Sequence, residues 1–463
     1  MQNIPRSLLI IIVGAVLVRL VLFFLIDFNF GEQGFFTGDS TAFYQTAKNI
    51  ISGHGFSRSA DYPFSPDARF PPLYPLFIAV SLQISGSIIP LVIFQLLLAS
   101  LLPIFIWKIS GFMTESLGVR TLASGLAAFE PLSIILSILL ITDLFSVFFL
   151  ISAIYFFMKG YGNSEKKQII FSGIMLGFSV LTKPNAQFLF ILGMGVLVWG
   201  VFNRYRGSFK EAMSRVLLFV ISFLLVLSPW LLRNYAVFGS FSVSNTGFRN
   251  VYTDLAVSVL NFETGRPYAE IEDEITNEFA RKYGVQNLEE NPALGKDLLK
   301  EGLKIMVERP WAVLGTLFIT WNSFFTQDLY LYFMERFDLV RDFKIDFSPS
   351  LVLVREGPLK LLSLVWERTG GYLLIPIVGR LFWVAVNFLW VAGLILAIRQ
   401  GGSAKITAVF LAVIILYYVL TSTVAGFSDQ GRHRFPASLP MFILASYAFF
   451  ELVGKLKTIN YRF

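Results

Sequence analysis

The chain contains no cysteine, and its 463 residues include only two histidines. Disulfides, thiolate nucleophiles and cysteine-ligated metals are therefore excluded, and two imidazoles leave little from which to build a zinc or iron site. Charge is scarce as well: Asp, Glu, Lys and Arg make up 15% of the chain, where soluble proteins carry about 25%. No internal repeat is visible, so the inverted-repeat pattern of many carriers is missing. The apolar runs are continuous rather than alternating, which argues against a transmembrane β-barrel. No A-x-A-like site follows the first run, Leu8–Ile26, so that run reads as an uncleaved span and not as a signal peptide.

What is abundant is apolar sequence, at 55% hydrophobic residues and a mean hydropathy of +0.66. Runs able to cross a bilayer recur at 7–26, 88–109, 119–139, 142–159, 168–182, 186–203, 215–234, 311–333, 376–398, 404–423 and 436–455. The expectation is an all-α integral membrane protein, a polytopic bundle of about 10–12 transmembrane helices, with 1–463 forming one membrane domain. The net charge of +7 fits a topological signal better than nucleic-acid binding, because Lys and Arg collect in the short loops 159–167 and 204–215 and in the tail 455–462. If those are cytoplasmic, the first loop, 27–87, and the large loop, 235–310, face outward, and surface helices are expected over Arg266–Lys304. Parity then requires either that Ser350–Trp366 crosses or that 311–333 is re-entrant.

Few residues could do chemistry. Asp39, in Gly38-Asp39-Ser40, opens an amphipathic run. It suits a helix N-cap and equally a general base at the membrane surface. Arg69-Phe70-Pro71-Pro72-Leu73-Tyr74-Pro75 pre-shapes a helix entry. Asp143 lies at the edge of two spans, as an N-cap or a functional acid, and Glu130 could serve Arg19 as a structural partner. Lys183, Arg233, Arg432, His433 and Arg434 fall at the predicted outer face. Singly each could be an interfacial snorkeller. Together, at the face where positive-inside anchoring does not put them, they suit an anion such as a phosphodiester. Tyr417-Tyr418 fits an interfacial belt.

The sequences Leu181-Thr182-Lys183-Pro184, Pro229-Trp230-Leu231-Leu232-Arg233-Asn234-Tyr235 and Arg432-His433-Arg434-Phe435-Pro436, with Asp39 and the Pro71-Pro72 turn of the first loop, follow one another in an order that resembles GT-C membrane glycosyltransferases. They are most similar to bacterial relatives of the dolichyl-phosphate-mannose-protein mannosyltransferases (glycosyltransferase family 39, aminoarabinose transferase-like). The resemblance covers roughly residues 1–250 and then 430–440. It implies an inverting transferase that moves a sugar from a polyprenyl-phosphate to an acceptor hydroxyl on a protein, lipid or glycan, at the extracytoplasmic side of the inner (plasma) membrane. It implies Asp39 and Asp143 as catalytic acids and Lys183, Arg233, Arg69 and Arg434 as donor-phosphate ligands. Tyr44, Tyr74 and His433 are implied as substrate contacts. The chain departs from the family at Phe70, where relatives keep a lysine; Arg69 is the nearest cation. No metal, cofactor or nucleic acid is expected, since the carboxylates are too dispersed for a dedicated cation cage. The rival reading is a transporter or flippase of an anionic lipid or solute.

Overall fold

Among the described residues, seven helices are long and apolar enough to cross a membrane: Arg6–Phe35, Ile89–Ser110, Asp143–Gly162, Phe209–Phe238, Leu374–Gln400, Gly402–Ala425 and Gln430–Gly454. Shorter apolar helices cover Leu73–Ser85, Leu117–Phe129 and Pro184–Trp199. The chain is a multi-pass membrane protein. The computed structural model describes residues 5–163, 165–203, 209–285, 294–330, 334, 349–369, 374–428 and 430–460, and all regular structure among them is helical. The basic residues expected at 204–208, the tail at 461–463 and the end of the 311–333 run at 331–333 lie outside the described residues. Two compact units emerge: Met1–Val243 with Phe388–Tyr417 and Pro436–Phe463, and Ser244–Asn387 with Tyr418–Phe435.

In the first unit, α1 (Arg6–Phe30) leads through a 3-10 turn into α2 (Ser40–Ile51) and α3 (Leu73–Ser85), followed by α4 (Ile89–Ser110) and α5 (Leu117–Phe129). The run expected to cross at 119–139 is broken. Glu130 is extended, its carboxylate accepts the Ser133 N–H at 2.7 Å, and Pro131 opens the short α6 (Pro131–Leu136). Thirteen residues of α5 rise about 20 Å, short of a hydrocarbon core of about 30 Å. The break sits against Arg19 of α1, which is fully buried and donates to the carbonyls of Ala128 at 2.9 Å and Ala15 at 3.2 Å and to Ser133 Oγ at 3.1 Å.

The rest of this unit turns on two packings. α7 (Asp143–Asn163) and α8 (Lys166–Thr182) form an antiparallel hairpin. Gly160 faces Ile169, Ser172 Oγ donates to the Ala153 carbonyl at 2.9 Å, and Ser146 meets Ser179 at 3.2 Å. After α9 (Leu189–Asn203), α10 (Phe209–Phe238) runs parallel to α8. Gly173 abuts Phe219 and Ser222, and Gly177 abuts Val226 and Phe223, so paired residues advance in the same direction. Small residues let the two backbones touch, as membrane helices commonly allow. The start of α7 and the ends of α8 and α10 therefore share one end of the bundle, which carries Asp143, Lys183 and Arg233.

In the second unit, α11 (Thr246–Asn250), a π-helical turn (Val251–Ala256), α12 (Val257–Thr264), α13 (Tyr268–Tyr283) and α14 (Gly295–Val307) precede α15 (Pro310–Thr326). Tyr252, Val257, Ile271, Ile275, Phe279 and Leu298 form their core. The Ser350–Trp366 stretch does not cross as one span: α16 (Pro349–Arg355) and α17 (Pro358–Thr369) have 7 and 12 residues, each too short for a bilayer. The long helices α18 (Leu374–Gln400), α19 (Gly402–Ser422) and α20 (Gln430–Asn460) complete the chain.

The α8–α10 contact sets a first prediction. A Cβ at Gly173 would lie 2.6 Å from the Phe219 carbonyl oxygen, so Gly173→Leu should destabilise the protein by about 1–3 kcal/mol or more through overpacking. The detergent-solubilised variant should unfold at a lower temperature. Gly195→Ala, which has nothing within 4 Å of its Cβ, should not.

Candidate active site

The loop after α1 is fastened by backbone chemistry. Thr37 N–H donates to Ser40 Oγ at 2.8 Å, and Ser40 N–H donates to the Thr37 carbonyl at 2.9 Å. Ser40 Oγ also donates to the Leu140 carbonyl at 2.7 Å, and Leu140 N–H donates to the Phe35 carbonyl at 2.8 Å. These bonds pin the residue after Asp39 to the turn three residues before Asp143. Gln95 secures that turn from the other side, donating to the Leu139 carbonyl at 2.7 Å.

Asp39 occupies the N-cap position of α2 but makes no capping bond with its side chain. Of the two readings open for it, the capping one fails, because Ser40 supplies the turn chemistry. The carboxylate is 40% exposed and lies 3.7 Å from the guanidinium of Arg69. Arg69 comes from the far side of the same loop, and the loop is tied in layers. Asn49 Nδ2 donates to the carbonyls of Ser57 at 2.8 Å and Ser59 at 2.9 Å. Asp67 takes the Arg69 N–H on Oδ1 at 2.9 Å and Arg58 Nε on Oδ2 at 2.8 Å. Phe70, where relatives carry a lysine, is buried, with the guanidinium carbons of Arg69 and Arg58 at 4.9 and 5.6 Å from its ring centre.

At the shared end of the bundle, Lys183 Nζ meets Asp143 Oδ1 at 2.7 Å, with the Asp143 side chain only 2% exposed. An acid at the first turn of α7 and a lysine just past the last turn of α8 each complement the adjacent helix dipole. The two residues expected in separate roles, acid and phosphate ligand, are thus each other's counter-ion.

Arg233 is engaged too. It donates to the Asp67 carbonyl at 2.7 Å and to Asn234 Oδ1 at 2.8 Å, and it lies over the rings of Trp230, Phe238 and Phe56 at 4.8, 5.1 and 5.6 Å. Its position binds the first loop to the end of α10. Tyr74, expected to touch substrate, is fully buried: its hydroxyl donates to Gln95 at 3.1 Å, and its ring packs on Phe43 and Phe145. That placement makes it a core residue. Tyr44 is half-buried, edge-on to Phe36, with Lys48 over its ring. Arg434 and His433 belong to the second unit. There Arg434 is fully buried, donates to the carbonyls of Phe324 and Gln327 at 2.7 Å each, and stacks on Trp383. A guanidinium spent on two carbonyls and a ring holds helix ends together, and it is not presented to a phosphate. Sequence reasoning passed over Asn49, Arg58 and Asp67. The one available signal was Pro66-Asp67, a turn signature.

Residues 69–232 match the family model described as dolichyl-phosphate-mannose-protein mannosyltransferase. No curated protein is matched by sequence. Among solved structures, the chain resembles the archaeal oligosaccharyltransferase AglB from Archaeoglobus fulgidus, determined with an inhibitory peptide and a dolichol-phosphate, at a TM-score of 0.55 and 14% identity. It also resembles the apo form of the Archaeoglobus fulgidus oligosaccharyltransferase at a TM-score of 0.50 and 13% identity. In both cases 98% of this chain aligns with 51% of the other, so the chain spans about half the length of the structures it matches. The fold is that of these archaeal oligosaccharyltransferase structures, an all-helical membrane fold of the kind the sequence motifs led one to expect.

The Asp143–Lys183 pair yields the second prediction. Removing one member of a buried ion pair leaves the other charge unmet, at about 3–5 kcal/mol, while removing both is far milder. Asp143→Asn and Lys183→Met should each lower the unfolding temperature sharply, and the double substitution should recover most of the loss. Additive losses in the double variant would show that the two side chains act independently.

Proposed function

We propose that the chain is an inverting glycosyltransferase that moves a sugar from a polyprenyl-phosphate donor to an acceptor hydroxyl at the extracytoplasmic face of the plasma membrane. The observation that carries this reading is Asp39: a half-open carboxylate at a helix start that forgoes capping and faces a cation, Arg69, at 3.7 Å. The family match over 69–232 and the GT-C fold support sugar transfer from a lipid carrier in general.

The chemistry follows from the charges. An acceptor hydroxyl reaching Asp39 gives its proton to the carboxylate as its oxygen attacks the anomeric carbon. The bond from that carbon to the phosphate oxygen breaks, and the electron pair leaves with the phosphate. A phosphate leaves as a stable anion without a general acid, so the site needs only positive charge on the leaving side. One displacement inverts the anomeric centre. In this reading Arg69 faces the phosphate, helped by Lys183 so far as Asp143 releases it, while Arg233 holds the loop. Asp143 acts through Lys183, and Tyr44 borders the acceptor side. The acceptor is a protein, lipid or glycan.

The test uses purified protein, radiolabelled polyprenyl-phosphate sugar and a membrane extract. Wild type should transfer label with inversion. Asp39→Asn should lose about 10²–10⁴-fold in turnover at an unchanged unfolding temperature, because it keeps size and forms no lost cap. Retained turnover in Asp39→Asn would remove the base from the mechanism. Donor crossing vesicle membranes without label transfer would favour the flippase reading instead.

A further inference from the structure

The carboxylate of Asp67 has no part in the displacement above, yet it ties together two arginines of the first loop. It is 5% exposed. Oδ1 accepts the Arg69 N–H at 2.9 Å and Oδ2 accepts Arg58 Nε at 2.8 Å. Its carbonyl accepts from Arg233 at 2.7 Å, and its own N–H donates to the Phe56 carbonyl at 2.9 Å. One residue thereby joins residues 56–58, the Arg69 backbone and the end of α10.

A buried carboxylate with both oxygens occupied is a stiff fixture, since each charge-assisted bond would be lost at considerable cost. Its two side-chain bonds reach two arginines of the loop, one through the backbone and one through the side chain. By holding the Arg69 N–H, Asp67 sets where the Arg69 side chain departs from the backbone, and that side chain ends 3.7 Å from Asp39. By holding Arg58 Nε, it anchors a second guanidinium, whose carbon lies 5.6 Å from the Phe70 ring centre. Both guanidiniums border Phe70, which is buried against Phe43 with ring centres 4.6 Å apart.

We infer that Asp67 is the positioning residue of the site: it aims Arg69 at Asp39. This rests on the reading of Asp39 and Arg69 given above, and it assigns Asp67 no contact with substrate. A residue that works through Arg69 has a measurable signature, because its removal matters only while Arg69 is present. Contacting residues that share one function couple strongly in such cycles, whereas independent ones add.

The experiment has two arms. In the transfer assay, Asp67→Ala should lower kcat roughly 10-fold with a smaller change in KM, and in an Arg69→Ala background the same substitution should cost less than about 2-fold. Equal losses in both backgrounds would overturn the proposal. The second arm needs no activity and exploits the cysteine-free chain. In Asp39→Cys, the rate of modification by a negatively charged methanethiosulfonate, relative to a positively charged one, reports how close Arg69 lies. Arg69→Ala should lower that ratio several-fold. The charge-neutral pair Arg58→Ala/Asp67→Ala should lower it as far, although it removes no net charge. An unchanged ratio would show that Arg69 holds its place without Asp67 and would overturn the inference. If wild type transfers no sugar, the functional reading fails, while the thiol ratio still decides the role of Asp67.

Discussion

A charged group drawn into an apolar helix bundle must be met there, because hydrocarbon offers neither water nor counter-ion. That constraint accounts for most of the polar architecture. Arg19 sits in the middle of α1 and would be untenable facing lipid. It is fully buried against carbonyls that the α5–α6 break exposes. Arg215, likewise buried, takes both the Gly160 carbonyl at the end of α7 and the Glu211 carboxylate one turn earlier on α10. Each such arginine turns an orphaned helix end into a fixed joint, so helix termini and buried cations specify one another.

The same constraint divides the candidate site residues. Asp143 and Lys183 look like catalytic groups when considered one at a time, but both lie on a tightly packed hairpin and neutralise each other. Arg434 has the composition of a phosphate ligand, yet its burial commits it to two carbonyls and an indole face. Asp39 is different because its side chain is 40% exposed, where water solvates a carboxylate, and it makes no capping bond to α2. Several buried charges, Arg19, Arg215 and Arg434 among them, are spent on helix ends, whereas Asp39 is part-exposed at the start of α2.

Geometry reaches the site through glycine. The parallel contact of α8 and α10, made possible by Gly173 and Gly177, brings the ends of those helices level. Arg233 can then reach the Asp67 carbonyl across the first loop. The order of events is sequence to close packing, close packing to aligned helix ends, and aligned ends to a loop held above them.

Much could be read without coordinates. The scarcity of charge and the apolar runs specify a multi-pass helical membrane protein, because hydropathy is a local property that the bilayer reads residue by residue. The motifs around Asp39, Lys183 and Arg233 pointed to the right class of fold, and the Glu130–Arg19 neighbourhood was suspected from the cost of isolated charge in a span. Other features were not legible. Pro131 is a local signal for the break at Glu130, but nothing local says that Tyr74 turns inward onto Gln95, or that Lys183 spends itself on Asp143 across 40 residues. Those outcomes depend on which polar group meets which once helices pack, and pairing between distant residues is set by register and crossing in three dimensions. Composition decided where the chain lives; only the tertiary structure decided which of its few charges are structural and which remain open to chemistry, because burial, and not residue type, sets the cost of leaving a charge unmet.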